Sequence, residues 1–350
     1  MIENFEVIKI FILSIISFVV AILFTPILTH YLYKYKIGKR IRNSKKAPIF
    51  LKLHKKKEGT PTMGGIIIWL TVLILALTFY YLPKIFQFEF LQNFNFLTRS
   101  ETLLPLGALI ATAIIGLIDD LLGVKGIGVH GGGLSVKIKL LIYTLIASFG
   151  AYWFYFKLDW DVLHVPFFGS FEIGLWYIPI FIFIIAATSF SVNETDGLDG
   201  LAGGVLLTSF ASYGTIAFLQ GKFELAAFCA VIIGALTAFL WFNINPARFI
   251  MGDTGSMSLG ITLGIVAMLT NMVLLLPVIG FIFVIESLSV IIQLTHKRLF
   301  KGKKLFKSTP IHHHFEAIGW SEPKIVMRFW LISGFTSVIG LIIFLLDNVW

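Results

Sequence analysis

The sequence predicts an all-α polytopic membrane protein of about ten transmembrane helices, with both termini outside and a candidate active site on the cytoplasmic face. Three observations predict it. Of the 350 residues, 57% are hydrophobic and only 13% charged, with a mean hydropathy of +0.89; soluble domains hold roughly 45–50% apolar residues. Apolar runs near the roughly 20 residues that a bilayer core demands recur along the whole chain. The lysines and arginines gather in alternate loops between those runs, the asymmetry that marks a cytoplasmic side.

The runs cover 8–30, 64–82, 103–122, 138–156, 173–192, 200–219, 225–242, 256–270, 272–294 and 327–346. Glu3 and Glu6, rather than basic residues, precede the first, and no small-residue cleavage site follows it, so it reads as an uncleaved span. Gly64-Gly65 opens the second, where glycine is costly unless another backbone or a ligand packs close. The eighth and ninth meet near Asn271, and their combined length of about 39 residues argues for two helices. Pro277 and Gly280 predict a bend in the ninth. The single cysteine, Cys229, lies in an apolar run, which excludes an intramolecular disulfide and a cysteine metal cage. No internal repeat is evident and the loops are too short for a soluble domain, so residues 1–350 read as a single integral-membrane domain.

Segments 34–60, 119–139, 243–256 and 296–328 hold 23 of the 28 basic residues; Lys9, Lys84, Arg99, Lys157 and Lys222 lie on the other side. The former are therefore cytoplasmic. The net charge of +9 is then a topology signal and an attraction for anionic membrane lipids, and it gives no support to a nucleic-acid partner. Any chemistry must be built from short loops and helix ends, where a water-soluble reactant meets a lipid one. A transporter would instead show an inverted repeat or a line of intramembrane charges, and neither is evident.

The acids of these loops cluster. Asp119 and Asp120 end the third run at a helix C-terminus, where the macrodipole disfavours anions by about 0.3–1 kcal/mol each. They require a cation, and Lys125 or Lys137 would serve for simple compensation. Asn193-Glu194-Thr195-Asp196-Gly197-Leu198-Asp199-Gly200 opens the sixth run. Asp199 reads equally as an N-cap there, and Asp196 and Asp199 would share a face if the turn is helical. Asn243 to Arg248, followed by Met251-Gly252-Asp253-Thr254-Gly255-Ser256, opens the eighth run in the same way, with Asp253 and Ser256 also readable as caps. Three loops bringing Asp-rich helix ends to one face exceed what capping needs. Hard oxygen donors with few histidines nearby suit Mg2+, which keeps several waters and bridges to substrate phosphates.

The last loop carries Pro310 and His312-His313-His314. The i, i+4 spacing of helical zinc sites is absent, so the histidines read as hydrogen-bond donors to a phosphate or sugar, or as a solvated run. Glu286 and Gln293, seven apart on one helical face, are intramembrane polar groups of the kind that face a bundle interior or a polar cavity. The stretch from Lys45 to Lys57 reads mostly as sidedness charge before Gly59-Thr60-Pro61-Thr62-Met63-Gly64-Gly65.

Together these motifs resemble the phospho-N-acetylmuramoyl-pentapeptide-transferases, within the polyprenyl-phosphate N-acetylhexosamine-1-phosphate transferases. The likeness runs in matching order from Pro61 to Arg328: Pro61-Thr62-Met63-Gly64-Gly65, Asp119-Asp120, Asn193 with Asp196-Gly197-Leu198-Asp199-Gly200, Phe242-Asn243, Met251-Gly252-Asp253 with Gly255-Ser256, and Pro310 with the three histidines. The first and last of these single out the muramoyl-pentapeptide branch from its sibling GlcNAc-1-phosphate transferases, the alternative reading.

The resemblance implies a single transferase domain in a bacterial cytoplasmic membrane. It would move phospho-MurNAc-pentapeptide from UDP-MurNAc-pentapeptide to undecaprenyl phosphate, giving lipid I and UMP, the first membrane step of peptidoglycan synthesis. It also implies Mg2+, a ten-helix fold and a homodimer. By resemblance, Asp253 is the main Mg2+ ligand, and Asp119 or Asp120 deprotonates or orients the lipid phosphate with Lys139 steadying negative charge. Asn193, Asp196 and Asn243 position the nucleotide and diphosphate, with Asp199 also in the substrate-binding set; Gln293, His312, His313 and His314 hold phosphate and sugar, and Arg248 contacts phosphate. The chain departs from the family pattern at Tyr143, Phe190, Glu194 and Ile250, where Gln, Asn, Leu and Phe are usual, and in the glycine-rich insert from Gly126 to Gly133.

Overall fold

The computed structural model describes residues 2–38, 57–86, 89–99, 101–128, 132–347 and 349. The lysines from Lys45 to Lys56 and the centre of the glycine-rich insert lie outside them. The helices are α1 (Ile2–Lys34), α2 (Ile66–Phe86), α3 (Glu89–Gln92), α4 (Leu103–Lys125), α5 (Val136–Lys157), α6 (Tyr177–Thr195), α7 (Leu201–Leu219), α8 (Phe223–Asn243), α9 (Asp253–Leu269), α10 (Leu276–Ile279), α11 (Phe281–Leu299), α12 (Ile311–Ala317) and α13 (Glu322–Asp347). Between α5 and α6, strands β1 (Val162–Val165) and β2 (Gly169–Glu172) pair antiparallel, Val162 opposite Glu172 and Val165 opposite Gly169. The apolar pattern gave no sign of this hairpin.

Among the described residues eight helices are long and apolar enough to cross a membrane, or nine if the segment Val273–Ile279 and α11 form one span bent by 82°. That bend falls at Gly280, close behind Pro277, where the sequence predicts it. The remaining expected span is α9, whose 17 residues reach about 25 Å, short of a hydrocarbon core about 30 Å thick. Every residue from Thr254 to Leu269 is buried, so α9 meets protein rather than lipid and the bilayer does not set its length. By contrast, Phe11 and Leu23 of α1, Phe149 of α5 and Phe335 of α13 stand exposed, the faces that lipid tails cover.

Helix α9 forms the centre, packed on α4 and α6, while α8 packs on α1 and α7, α5 on α6 and α13 on α7. Glycine lets these backbones approach. A Cβ on Gly116 of α4 would lie 2.4 Å from Asp253 O, and one on Gly260 of α9 would lie 2.7 Å from Ser189 Cα. At the start of α2, a Cβ on Gly65 would lie 2.3 Å from Gly255 Cα, which accounts for a glycine that propensity alone disfavours.

Candidate active site

Seven helix ends converge at one end of the bundle: the C-terminal ends of α4, α6 and α8, and the N-terminal ends of α2, α5, α7 and α9. They enclose a cleft of about 350 Å³, within the size range of small-molecule sites.

Helix α4 stops at Gly126, whose φ of 72° turns the chain so that the Ile127 amide reaches back to Leu122 O at 2.9 Å. The helix runs on past the expected end, so Asp119 and Asp120 sit seven and six residues before that stop, inside the helix, and face different ways. Asp119 Oδ2 lies 2.7 Å from Lys139 Nζ, and its Oδ1 accepts the Leu134 amide. Asp120 instead holds the start of α9, accepting the Asp253 amide on Oδ1 and the Thr254 amide on Oδ2, each at 3.1 Å. An anion at a helix N-terminus is favourable, so the start of α9 stabilises the Asp120 carboxylate. The cation that the aspartate pair requires is Lys139.

Ser135 caps α5, its hydroxyl accepting the Ile138 amide at 3.3 Å, and this sets Lys139 in the first turn. There Lys139 Nζ bridges Asp119 to Asp253, 2.6 Å from Asp253 Oδ2. Asp253 Oδ1 accepts Asn193 Nδ2 at 2.5 Å, and the same amide reaches Ser256 Oγ at 2.8 Å. Neither Asp253 nor Ser256 caps α9: Gly252, with φ 75°, stands there, and its amide donates to Asp196 Oδ2 at 3.2 Å. Two of the sequence motifs are bonded to each other, the Ile250 amide to Pro61 O at 2.8 Å and the Gly64 and Gly65 amides to Ile250 O and Met251 O at 2.9 Å.

Asp199 is not the N-cap of α7; Gly200, with φ 82°, takes that place. The turn before it is not helical, so Asp196 and Asp199 part company. Asp199 Oδ1 accepts Lys57 Nζ at 2.7 Å, while Oδ2 accepts Asn245 Nδ2 and the Ala247 amide at 3.1 Å. Lys57 also pairs with Glu322 at the start of α13, and Glu322 accepts the Asp199 amide at 2.6 Å. Burial opposes the Lys57 charge, but the carboxylates of Glu322 and Asp199 hold its pKa above the ordinary lysine value. Asn243 is buried and committed to backbone, accepting the Gly200 amide at 2.9 Å and donating to Phe249 O at 2.8 Å. In all, six carboxylates line the cleft (Asp119, Asp120, Glu194, Asp196, Asp199 and Asp253) against the two ammonium groups of Lys57 and Lys139.

Residues 102–271 match the model of glycosyl transferase family 4, and residues 57–68 match phospho-N-acetylmuramoyl-pentapeptide-transferase signature 1. A protein named phospho-N-acetylmuramoyl-pentapeptide-transferase from Chloroflexus aggregans is 41% identical over 324 residues, covering 89% of this chain and 83% of the relative. One of the same name from Geobacillus sp. strain WCH70 is 38% identical over 334 residues, 94% of this chain and 96% of the relative. Another, from Clostridium novyi, is 38% identical over 329 residues, 93% and 94% of the two chains. The chain belongs to the phospho-N-acetylmuramoyl-pentapeptide-transferase family.

In this phospho-N-acetylmuramoyl-pentapeptide-transferase family member the expected site residues fall into two groups. Asp119, Asp120, Lys139, Asn193, Asp196, Asp199, Asn243 and Asp253 line the one cleft. Arg248, Gln293, His312, His313 and His314 stand outside that lining. Arg248 is exposed, its guanidinium 5.5 Å from the Phe242 ring centre. Gln293 is buried and holds a loop, accepting the Leu305 and Phe306 amides and donating to Phe306 O, all at 3.0 Å. His312 is fully buried, with Nδ1 2.8 Å from Glu286 Oε2. Its other edge abuts Gly197, where an added Cβ would come within 2.3 Å of His312 Nε2, so His312 lies one layer behind the cleft wall. His313 Nδ1 is 2.7 Å from Glu316 Oε2, and His314 Nδ1 accepts the Lys307 amide at 3.2 Å.

Lys57 and Thr62 also line the cleft, although the sequence alone marked neither as a site residue. Lys57 was hidden in a run of sidedness charge, yet it is the first residue of the matched signature. All four departures from the family pattern, Tyr143, Phe190, Glu194 and Ile250, line the same cleft.

Proposed function

We propose that this cleft transfers phospho-MurNAc-pentapeptide from UDP-MurNAc-pentapeptide to undecaprenyl phosphate, forming lipid I and releasing UMP. The observation that carries the reading is the convergence of Asp119, Lys139 and Asp253 at helix ends, in a chain of this family. In the reaction, an oxygen of the lipid phosphate attacks the sugar-bearing phosphorus of the donor diphosphate. The bond from that phosphorus to the UMP oxygen breaks, and UMP leaves with the electron pair. Both reactants are anions, so fixed positive charge and aimed donors must do most of the work.

Asp119, steadied by Lys139 and the Leu134 amide, orients the attacking phosphate. Asp120 has both oxygens on the first amides of α9 and acts by fixing Asp253. Asn193 sets the rotamer of Asp253, and Asp196, Asp199 and Asn243 lock the loops that border the nucleotide. Gln293 and His312 to His314 contribute from behind the wall by holding residues 305–314 in place. The basic loops support a cytoplasmic orientation of this face, and the family resemblance supports a homodimer.

The donor set fits Mg2+. Among the described residues no three His, Cys, Asp or Glu group to cage a metal, and Mg2+ characteristically takes one or two carboxylates and completes its shell from water and substrate phosphate. Asp253, with 23% of its side chain exposed, would hold it. Bound there, Mg2+ would offset the excess of carboxylates and polarise phosphoryl oxygens.

The test is UMP release by detergent-solubilised protein with undecaprenyl phosphate and Mg2+, comparing UDP-MurNAc-pentapeptide with UDP-GlcNAc. Release with the muramoyl donor alone is expected. Release with UDP-GlcNAc alone would move the protein to the sibling branch, and release with neither would overturn the assignment.

A further inference from the structure

Tyr143 is fully buried and yet forms part of the cleft wall, and its hydroxyl has no hydrogen-bond partner among the described residues. The Ser189 hydroxyl beside it donates to Met257 O at 3.2 Å and interacts with the phenol without meeting hydrogen-bond geometry. A buried hydroxyl without a partner costs stability, and phenylalanine would fill the same space without that cost.

The surroundings define what the hydroxyl can take. Tyr143 stands four residues after Lys139 on α5, on the same face of the helix. The charges that act on it belong to Asp253, Asp119 and Glu194. Lys139 and Asn193 each reach one oxygen of Asp253, and Lys139 and the Leu134 amide each reach one of Asp119. A phenol keeps its proton at neutral pH, so the group is a donor in the wall of this cleft. An entering phosphate, rich in acceptor oxygens, supplies what is missing.

We propose that Tyr143 donates a hydrogen bond to a substrate phosphate oxygen in this cleft, an inference that rests on the transferase reading above. The phosphate is either the diphosphate of the nucleotide donor or the lipid phosphate, and the experiment separates the two. Wild-type UMP release is measured first; its absence would be a failure of the transferase reading and not of this one.

In Tyr143→Phe, which removes one oxygen, kcat/KM is expected to fall roughly 10- to 100-fold, the range for a hydrogen bond to a charged group. The unfolding midpoint should stay level or rise, because no partner is lost, which separates a ligand contact from a structural one. A KM raised for UDP-MurNAc-pentapeptide alone assigns the donor diphosphate, and one raised for undecaprenyl phosphate alone assigns the lipid. A lower kcat with both KM values unchanged assigns a bond made in the transition state. Unchanged kinetics would overturn the proposal. Fluorotyrosine in place of Tyr143 gives a second readout in an otherwise unaltered chain: its fluorine resonance should move when one of the two substrates is added, and a resonance unmoved by either would also overturn it.

Discussion

Gly65 and Gly255 cross backbone to backbone, so closely that a Cβ on Gly65 would sit 2.3 Å from Gly255 Cα. Neither neighbour is a flexible side chain that can give way. Gly65→Ala should therefore lower stability by about 1–3 kcal/mol, the usual cost of overpacking, read as a lower unfolding midpoint in detergent. Gly107→Ala is the control, since nothing lies within 4 Å of its added Cβ; its midpoint should hold or rise slightly. Equal behaviour of the two variants would remove the crossing as the reason for the glycine.

Asp253 joins Lys139, Asn193 and the start of α9. Asp253→Asn should leave the protein folded and lower UMP release by roughly 100-fold or more, the scale on which lost electrostatic stabilisation acts. Chelation should abolish wild-type turnover and added Mg2+ restore it, with the variant needing more Mg2+ for half its activity. Turnover indifferent to the chelator would sink the metal reading.

Lys57, Asp199 and Glu322 tie the segment before α2 to the starts of α7 and α13. Because the folded-state pKa of Lys57 lies above 10.5, its ionic contribution is fully present below about pH 10.5 and is lost as pH rises through the folded value. The difference in unfolding midpoint between wild type and Lys57→Met should accordingly stay flat from about pH 7 to 10 and shrink only above that range. A difference that already shrinks near pH 8 would show that the two carboxylates do not hold the ammonium as described.

Glu286 and His312 are both fully buried, and Glu286 Oε2 lies 2.8 Å from His312 Nδ1. Glu286→Ala strands His312 Nδ1 and should cost about 1–3 kcal/mol, whereas Glu286→Gln retains an acceptor oxygen and should cost less. Denaturant titration of the three proteins ranks them; equal stability of the Ala and Gln variants would count against the pair.

The membrane fold was legible because hydropathy and the sidedness of lysine and arginine are properties of composition along the chain. The bend at Gly280 was legible for a local reason, Pro277 three residues earlier. Helix α9 was less so: a run of apolar residues looks alike whether lipid or protein surrounds it, and only packing makes α9 short and wholly enclosed. The same limit applies to the site. Sequence placed Asp119, Asp120, Asp199 and Asp253 near one another, since each lies at a helix end on the same side. It could not tell which carboxylates turn inward to backbone amides, as Asp120 does, and which stay in the cleft. Nor could it separate Lys57 from the run of lysines before it, because ion pairs to Asp199 and Glu322, 142 and 265 residues away, leave no local pattern.

The start of α9 is gripped on three sides, by Asp120 through two amides, by Gly116 beneath Asp253 and by Gly65 against Gly255. A slide or tilt of this helix start would break all three contacts together, so the Asp253 carboxylate at the head of α9 serves as a stationary reference in the cleft wall.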